Sequence, residues 1–255
     1  MLYKNAITRK PGINFSQGIT TSNLGEPDFF KAMAQHAEYV KTLESSGIQV
    51  KTLESDINFP DGCFVEDTAV VFQEAAIITN PGVSSRKEEI KTINKILNTI
   101  KKLYFIDHPG TLEGGDVLKI EDKFYIGLSD RTNAEGIRQF AEITAKFGYQ
   151  TFALKLEDIL HLKTGIAYIG NNKIIGWPSV LKQQEFEQYQ KIEIPPDELY
   201  ASNCIRLSEN ILIIPKGFPK TKNILTELNY NIIELDMSEF EKMDGGLTCL
   251  SLLFN

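Results

Sequence analysis

Apolar and polar positions along this chain follow a pattern that repeats several times. One copy comprises a polar or acidic turn, an apolar strand, a short polar turn, a second apolar strand, a loop and usually a helix. The first clear copy reads EDTAVVF, QEA, AIIT and SSRKEEIKTINKILNTI, and the second reads EGGDVLKI, EDK, FYIG and TNAEGIRQFAEITAKFG. A repeat of about 20–50 residues indicates an architecture built from equivalent modules.

Two further copies and a final half copy complete the series. The third reads HLKTGIAYIG, NN and KIIGW with a weaker helix around LKQQEFEQYQ, and the fourth reads SNCIRL, SEN, ILIIP and PKTKNILTELNYN. The half copy GGLTCLSLLFN lacks a second strand, which the N-terminal KNAITRK could supply and so close a ring. Five modules around one axis would leave no free sheet edges. An ordinary α/β sheet with alternating strands and helices is the alternative.

Amphipathic helices are predicted for the outer layer of such a ring. From Asp28 to Ser46, apolar residues recur at steps of three and four, and Gly47 marks the end of the helix. Asn133 is a suitable N-cap for a helix that ends at Gly148. No linker or low-complexity segment interrupts the pattern, so we expect residues 1–255 to form a single domain.

Composition and charge narrow the classes of function. The chain of 255 residues carries a net charge of −7, which argues against electrostatic binding to nucleic acid. No apolar run approaches the ~18 residues of a membrane span, and no secretory signal is visible, so we expect a cytoplasmic protein without a membrane partner. Cys63, Cys204 and Cys249 lack paired spacing, which argues against a disulfide framework or a zinc cage and raises the question of a nucleophile.

Reactive side chains stand at the openings of successive copies. The opening residues, separated by 42 to 48 positions, are Glu66, Glu113, His161, Asn203 and Gly246. In a closed ring, equivalent positions point to the same place, so the carboxylates of the first two copies, His161 and Cys249 would converge on the axis. A cysteine, a histidine and carboxylates brought together in this way form a site for nucleophilic catalysis.

Simpler interpretations stay open for each of these residues. Cys249 could be a small buried hydrophobic residue, although the two glycines before it would let backbone approach a ligand. His161 could be a structural histidine with satisfied hydrogen bonds. The acidic pair Glu66 and Asp67 could face solvent at a strand edge, and the turn EGGD could simply expose its two carboxylates.

Two arginines follow the second strands of the first two copies. Arg86 comes 20 residues after Glu66, and Arg131 comes 18 residues after Glu113. Arginines delivered by neighbouring modules would form a clamp for a carboxylate. The alternative is a pair of solvated arginines at helix starts.

Seven segments, in this order and spacing, carry a resemblance to a known family. They are FPDGCFVEDTAVVF, AIITNPGVSSRK, EGGDVLK, YIGLSDRTNAEG, ILHLKTG, ASNCIRL and MDGGLTCLSLLF. Together they resemble the dimethylarginine dimethylaminohydrolases, the bacterial members most closely, over essentially the whole chain. These enzymes are members of the guanidine-modifying superfamily, which includes the amidinotransferases and arginine deiminases. The resemblance implies an α/β fold, a five-bladed ββαβ pseudo-symmetric propeller of the pentein type. It also implies hydrolysis of N-omega-methylated arginine to citrulline and dimethylamine or methylamine through a Cys-bound thiouronium, without metal or cofactor.

The resemblance assigns roles to individual residues. Cys249 matches the family nucleophile, His161 its general acid/base, and Glu113 the carboxylate that orients the histidine. Positions that match substrate contacts are the backbone of Ile19 and Met243, the carboxylates of Asp61, Glu66, Asp67 and Asp244, and the α-carboxylate clamp of Arg86 and Arg131. The departure from the family is the apolar side chain at Ile19, in the loop that covers the substrate.

Two other functions compete with this interpretation. An arginine deiminase would use the same groups, but deiminases of free arginine usually carry an additional helical domain for which this chain has no room. A non-catalytic five-fold propeller that binds a ribosomal subunit would have no reason to hold Cys249, His161 and Glu113 together. The sequence leaves the oligomeric state open, and the chain could form a homodimer.

Overall fold

Five three-stranded sheets make up the fold of this protein in a computed structural model, which describes residues 1–157 and 159–255. The strands are β1 (Asn5–Arg9), β2 (Gln49–Leu53), β3 (Ala69–Val71), β4 (Ala75–Ile78), β5 (Lys102–Phe105), β6 (Val117–Ile120), β7 (Lys123–Leu128), β8 (Gln150–Lys155), β9 (Ile166–Gly170), β10 (Lys173–Gly176), β11 (Gln190–Glu193), β12 (Ile205–Arg206), β13 (Ile211–Pro215), β14 (Asn231–Leu235) and β15 (Ser251–Phe254). The α-helices are α1 (Phe29–Ser45), α2 (Ile90–Leu97), α3 (Ala134–Ala145), α4 (Pro178–Leu181), α5 (Pro219–Glu227) and α6 (Ser238–Glu241).

Every sheet has the same internal order, which defines a blade. The first strand pairs antiparallel with the second, and the second pairs parallel with a third that follows a helix. Blades 1 to 4 are β3–β5, β6–β8, β9–β11 and β12–β14, and blade 5 consists of β15, β1 and β2. This ββαβ arrangement confirms the five-bladed pseudo-symmetric propeller, and the alternative of one ordinary α/β sheet is wrong.

Blade 5 joins the two ends of the sequence. Strand β15 pairs antiparallel with β1, from Asn5 opposite Phe254 to Thr8 opposite Ser251. The ring closure predicted from the half copy is therefore confirmed. The same sheet places the C-terminal segment with Cys249 beside the residues at the start of the chain.

The helices largely follow the predicted positions and caps. Asp28 caps α1 by accepting the N–H of Lys31, and Gly47 follows the helix at φ +81, a conformation that favours glycine. Asn133 caps α3 by accepting the N–H of Gly136. The helix predicted around 181–190 is mostly wrong, because after the short α4 only a 3-10 turn at Gln184–Phe186 forms.

Four blades are opened by a 3-10 turn at the first strand, and blade 4 has an equivalent turn just before Asn203. These turns are Val65–Thr68, Gly114–Asp116, Leu162–Thr164, Leu199–Ser202 and Thr248–Leu250. They adjoin one another, whereas the apolar strands pack into clusters between neighbouring blades. The convergence of the opening residues thus follows from the repeat itself. Within the described residues, no helix is long and apolar enough to cross a membrane.

Candidate active site

A small cavity of about 30 Å³ collects nearly all of the predicted site residues. Its lining comprises Ile19, Asp61, Phe64, Asp67, Arg86, Glu113, Arg131, Leu160, His161, Met243, Asp244, Gly245 and Cys249. The three predicted catalytic residues and seven of the eight predicted substrate contacts are in this set. Residues from four blades and from the loop after β1 therefore meet at one place, as the repeat predicts.

His161 is held by a buried carboxylate. Its Nε2 lies 2.8 Å from Oε2 of Glu113, a residue with no exposed surface. The other oxygen of Glu113 accepts the N–H of Gly82 at 3.1 Å and lies 3.9 Å from Nη1 of Arg131. Asp116 fixes the turn that follows the histidine by accepting the N–H of Leu162 at 3.0 Å. Glu113 thus orients the ring of His161, and Asp116 fixes the backbone that follows it.

The glycines of the EGGD segment are required by close contacts. A Cβ on Gly114 would lie 2.0 Å from the carbonyl oxygen of Glu66, and a Cβ on Gly115 would lie 2.8 Å from Nδ1 of His161. Only a residue without a side chain lets these segments approach so closely. The carboxylates of this segment are fully buried, so the interpretation of EGGD as a solvent-exposed turn is wrong.

Asp67 and Arg86 form a buried ion pair at the cavity wall. Nη1 of Arg86 donates to Asp67 at 2.7 Å, and its Nε and Nη2 donate to both oxygens of Glu89 at 2.9–3.2 Å. Nη2 also donates to the carbonyl of Phe64. Arg86 is therefore not a solvated helix-start arginine, and most of its donors already have protein partners.

Charges around His161 determine its protonation. Burial would lower the pKa of His161, but the negative charges of Asp67, Asp116 and Glu113 outweigh burial and raise this pKa to about 9. Burial would raise the pKa of Asp67, but His161, Arg86 and the N–H of Gly115 lower it to about 2. An imidazolium beside a carboxylate is therefore the resting state at neutral pH.

Cys249 lies in the 3-10 turn at Thr248–Leu250 and is partly exposed, whereas Cys63 and Cys204 are buried. Its Sγ accepts the N–H of Gly246 at 3.3 Å. Burial, and then the negative charges at positions 66 and 67, raise the pKa of this thiol to about 12. The resting cysteine is therefore a thiol, although it lines the same cavity as an imidazolium.

The loop after β1 closes over the cavity. The N–H of Ile19 donates to both carboxylate oxygens of Asp61, at 3.1 and 3.2 Å. Oδ2 of Asp244 accepts the N–H of Thr21 at 2.6 Å and the hydroxyls of Thr20 and Thr21 at 3.1 Å. A cavity of about 30 Å³ has room for about one water molecule. The loop must therefore move before an amino acid can enter.

Glu66 stands apart from the other predicted site residues. Its carboxylate accepts from Nζ of Lys163 at 2.6 Å and from the hydroxyl of Thr248 at 2.8 Å. It lines a second cavity of about 520 Å³, which runs between the first strands of all five blades. Neighbouring residues of the Val65–Thr68 turn point in different directions, so Asp67 faces the small cavity and Glu66 faces the large one.

Comparison with known proteins decides to which family this site belongs. The family described as N,N dimethylarginine dimethylhydrolase, eukaryotic, matches residues 21–251. A Pseudomonas aeruginosa protein named N(G),N(G)-dimethylarginine dimethylaminohydrolase is 41% identical over 99% of this chain and 100% of its own length. The chain belongs to the dimethylarginine dimethylaminohydrolase family. The resemblance carried by the seven sequence segments is thereby confirmed.

Other members of the dimethylarginine dimethylaminohydrolase family support the assignment. A Streptomyces coelicolor protein of the same name is 32% identical over 98% of this chain and 96% of its own length. The solved structure of a cysteine-to-serine mutant of the Pseudomonas aeruginosa enzyme, complexed with citrulline, has a TM-score of 0.97 and 40% identity. That match covers 100% of both chains.

Three side chains at the site have the chemistry and the spacing of potential metal ligands. Asp67, Glu113 and His161 place potential ligand atoms within 4.8 Å of one another. Each of these groups already has a protein partner, since Glu113 and His161 bond to each other and Asp67 bonds to Arg86. The described contacts of these three groups are therefore complete within the protein.

Several residues at the site were not predicted from the sequence. Glu89, Lys163 and Thr248 were missed, and Asn203 was recognised only as a module opening without a role. Lys163 comes two residues after His161, and Thr248 directly precedes Cys249. This closeness to predicted catalytic residues is the feature of the sequence that could have indicated them. Glu89 comes three residues after Arg86, a spacing that favours an ion pair in a helical turn.

Proposed function

We propose that this protein hydrolyses N-omega-methylated arginine to citrulline and dimethylamine or methylamine. The observation that carries the proposal is one small cavity lined by a thiol, an imidazole–carboxylate pair and further carboxylates. The membership of the dimethylarginine dimethylaminohydrolase family supplies the reaction class. We further propose that residues 1–255 act as a single catalytic domain.

Cys249 is the proposed nucleophile of the first step. Binding of the guanidinium lets the thiol release its proton to solvent, and the sulfur of the resulting thiolate adds to the guanidine carbon. The tetrahedral species then collapses as the bond to the methylated nitrogen breaks. His161, protonated at neutral pH, donates its proton to that nitrogen, so the amine leaves as a neutral molecule. The product of this step is a thiouronium attached to Cys249.

Water completes the reaction in the second step. The imidazole of His161, now neutral, takes a proton from water, and the oxygen adds to the thiouronium carbon. The carbon–sulfur bond then breaks, and the proton of the new hydroxyl passes to the leaving sulfur, which releases neutral citrulline and returns the thiol of Cys249. Glu113 holds the imidazole in place through both steps, and its charge stabilises the imidazolium that forms again. These steps use only groups of the chain itself, without metal or cofactor.

The ends of the substrate have distinct proposed partners. Asp67 binds the guanidinium, since its carboxylate lines the cavity and stays ionised. Arg131 is the main clamp for the α-carboxylate, because its closest acidic partner is 3.9 Å away while Arg86 is already engaged. Asp61 is released to bind the α-ammonium when the N–H of Ile19 moves with the loop.

The backbone of Met243 and the carboxylate of Asp244 complete the proposed contacts. Met243 packs against the start of the covering loop, since a Cβ on Gly18 would lie 3.1 Å from its side chain. Asp244 holds the loop through Thr20 and Thr21 and is freed towards the guanidine on opening. We propose a cytoplasmic protein with a small-molecule guanidine substrate and no nucleic-acid partner, and a homodimer stays a prediction.

Citrulline release distinguishes this function from its nearest competitor. Purified protein is expected to form citrulline from asymmetric dimethylarginine and monomethylarginine, with free arginine run in parallel. Turnover of free arginine alone would keep the mechanism but assign the chain to arginine deimination. Absence of citrulline from all three substrates would contradict the proposed function.

The thiol of Cys249 is expected to ionise only when a cation occupies the cavity. Its pKa of about 12 arises from burial and neighbouring carboxylates, and a bound guanidinium offsets the carboxylate charge. We expect thiolate absorbance in the ultraviolet to appear on addition of guanidinium ion at pH 8, and the alkylation of Cys249 to shift to lower pH. Cys249→Ser protein supplies the baseline. An unchanged thiolate signal on addition of the cation would contradict activation by the substrate.

A further inference from the structure

Asn203 occupies the position in blade 4 that Glu113 and His161 occupy in blades 2 and 3. Its side chain is buried, with 5% of the residue exposed, and it does not line the small cavity. It therefore makes no direct contact with the groups assigned to the reaction. The module pattern nevertheless brings it to the axis, beside the turn that carries Cys249.

All three hydrogen-bonding groups of the Asn203 amide are occupied. Oδ1 accepts the N–H of Thr248 at 2.9 Å. Nδ2 donates to the hydroxyl of Thr248 at 3.1 Å and to the carbonyl of Lys163 at 2.9 Å. One amide thus joins the opening turn of blade 3, which directly follows His161, to the opening turn of blade 5, which contains Cys249.

The amide of Asn203 also packs against the backbone that contacts the sulfur. A Cβ on Gly246 would lie 2.5–3.0 Å from the amide atoms of Asn203, so only glycine fits there. The N–H of this glycine donates to Sγ of Cys249 at 3.3 Å. Asn203 therefore contacts both Gly246 and Thr248, which are the first and last residues of the segment that precedes Cys249.

The hydrogen-bond network around Asn203 explains why an amide side chain is required at this position. The hydroxyl of Thr248 gives its proton to Glu66, and Glu66 also accepts from Lys163. The hydroxyl can therefore only accept from residue 203, and the carbonyl of Lys163 likewise needs a donor. A carboxylate at position 203 would retain the bond to the N–H of Thr248 but lose both donations.

We propose that Asn203 is a positioning residue for the nucleophile. It fixes the segment from Gly246 to Thr248 so that Cys249 keeps its sulfur at the glycine N–H and in the cavity with His161. This role rests on the proposed function of Cys249. Displacement of a reacting atom by about 1 Å can cost about 100-fold in rate, so a side chain outside the cavity can control turnover.

Asn203→Ala and Asn203→Asp test the proposal, with Ser202→Ala as the matched control. Ser202 is the buried neighbour in the same segment, and its single hydroxyl proton is shared between the carbonyls of Thr164 and Leu199, with no bond to the Cys249 turn. We expect both Asn203 variants to lose about 100-fold in kcat with little change in KM. Ser202→Ala is expected to lower Tm but to keep kcat. Asn203→Asp is isosteric, so it carries the test if Asn203→Ala does not fold.

Alkylation of Cys249 by iodoacetamide gives a readout that does not depend on turnover. Loss of the ordered N–H at the sulfur is expected to slow alkylation about threefold to tenfold in Asn203→Asp, the scale of one hydrogen bond. Ser202→Ala is expected to match the unmodified protein. Unchanged kcat and alkylation rate in both Asn203 variants would overturn the proposal. If the unmodified protein turns over no guanidine, the alkylation result still decides the role of Asn203, while the proposed function fails separately.

Discussion

Cys249→Ser protein is expected to lose more than about 10⁴-fold in kcat with asymmetric dimethylarginine, a loss typical of enzymes from which the nucleophile is removed. A serine hydroxyl is a far weaker nucleophile than a thiolate at neutral pH. In this chain it would also face the carboxylates that already raise the pKa of the thiol. Citrulline formation under saturating substrate measures the loss.

Substrate binding separates a lost nucleophile from a damaged site. The Cys249→Ser variant should still bind asymmetric dimethylarginine in calorimetry, because serine preserves the shape of the turn and the cavity lining. Cys204→Ala removes a different thiol, buried between blades, and is expected to retain kcat. Residual turnover within tenfold of the unmodified protein would rule out Cys249 as the covalent nucleophile.

His161→Ala is expected to lose about 10²–10⁴-fold in kcat, the usual contribution of a general acid/base. Glu113→Gln tests how that histidine is tuned, since it keeps the side-chain shape and removes one of the charges that raise the pKa of His161. The unmodified protein should lose activity as the pH rises through about 9, where the imidazolium is lost. The alkaline limb of the pH–rate profile should move to lower pH in Glu113→Gln.

The thermal stability of the folded protein should also change over the pH range in which His161 titrates. The pKa of His161 is raised from 6.5 in the unfolded chain to about 9 in the folded protein, so its contribution to stability is complete below pH 6.5. That contribution is lost as the pH rises from 6.5 through 9. The difference in Tm between the unmodified protein and Glu113→Gln should therefore shrink over this range. An alkaline limb and a Tm difference that do not respond to Glu113→Gln would contradict the tuning of His161 by this carboxylate.

The repeat was visible in the sequence because it depends on local patterns. Paired apolar strands with polar turns gave four blades, and the unpaired strand near the C-terminus indicated the partner that β1 supplies. The cap Asn133 acts through a residue three positions away and was predicted for that reason. The third strands of the blades were not recognised, because short sequences such as KLYF and QKIE show little apolar alternation.

The composition of the site could be predicted better than its internal geometry. The family resemblance named both arginines as equivalent clamps, yet Arg86 is buried against Glu89 and Asp67 while Arg131 is freer. Ion pairs of this kind depend on packing between segments, which residue types alone do not reveal. The opposite directions of Glu66 and Asp67 likewise depend on the conformation of a single turn.

Because β1 pairs with β15, the active site of this enzyme can be completed only late in the synthesis of the chain. The two strands lie at opposite ends of the sequence, so their sheet can form only after nearly all of the chain has been synthesised. The segment with the reactive sulfur directly precedes β15 and gains its fixed position from that sheet and from Asn203. A growing chain on the ribosome therefore carries Cys249 as an ordinary thiol, without the carboxylates and the imidazolium that surround it in the folded protein. Catalytic competence therefore requires blade 5 to close the ring, because that closure brings Cys249 to His161.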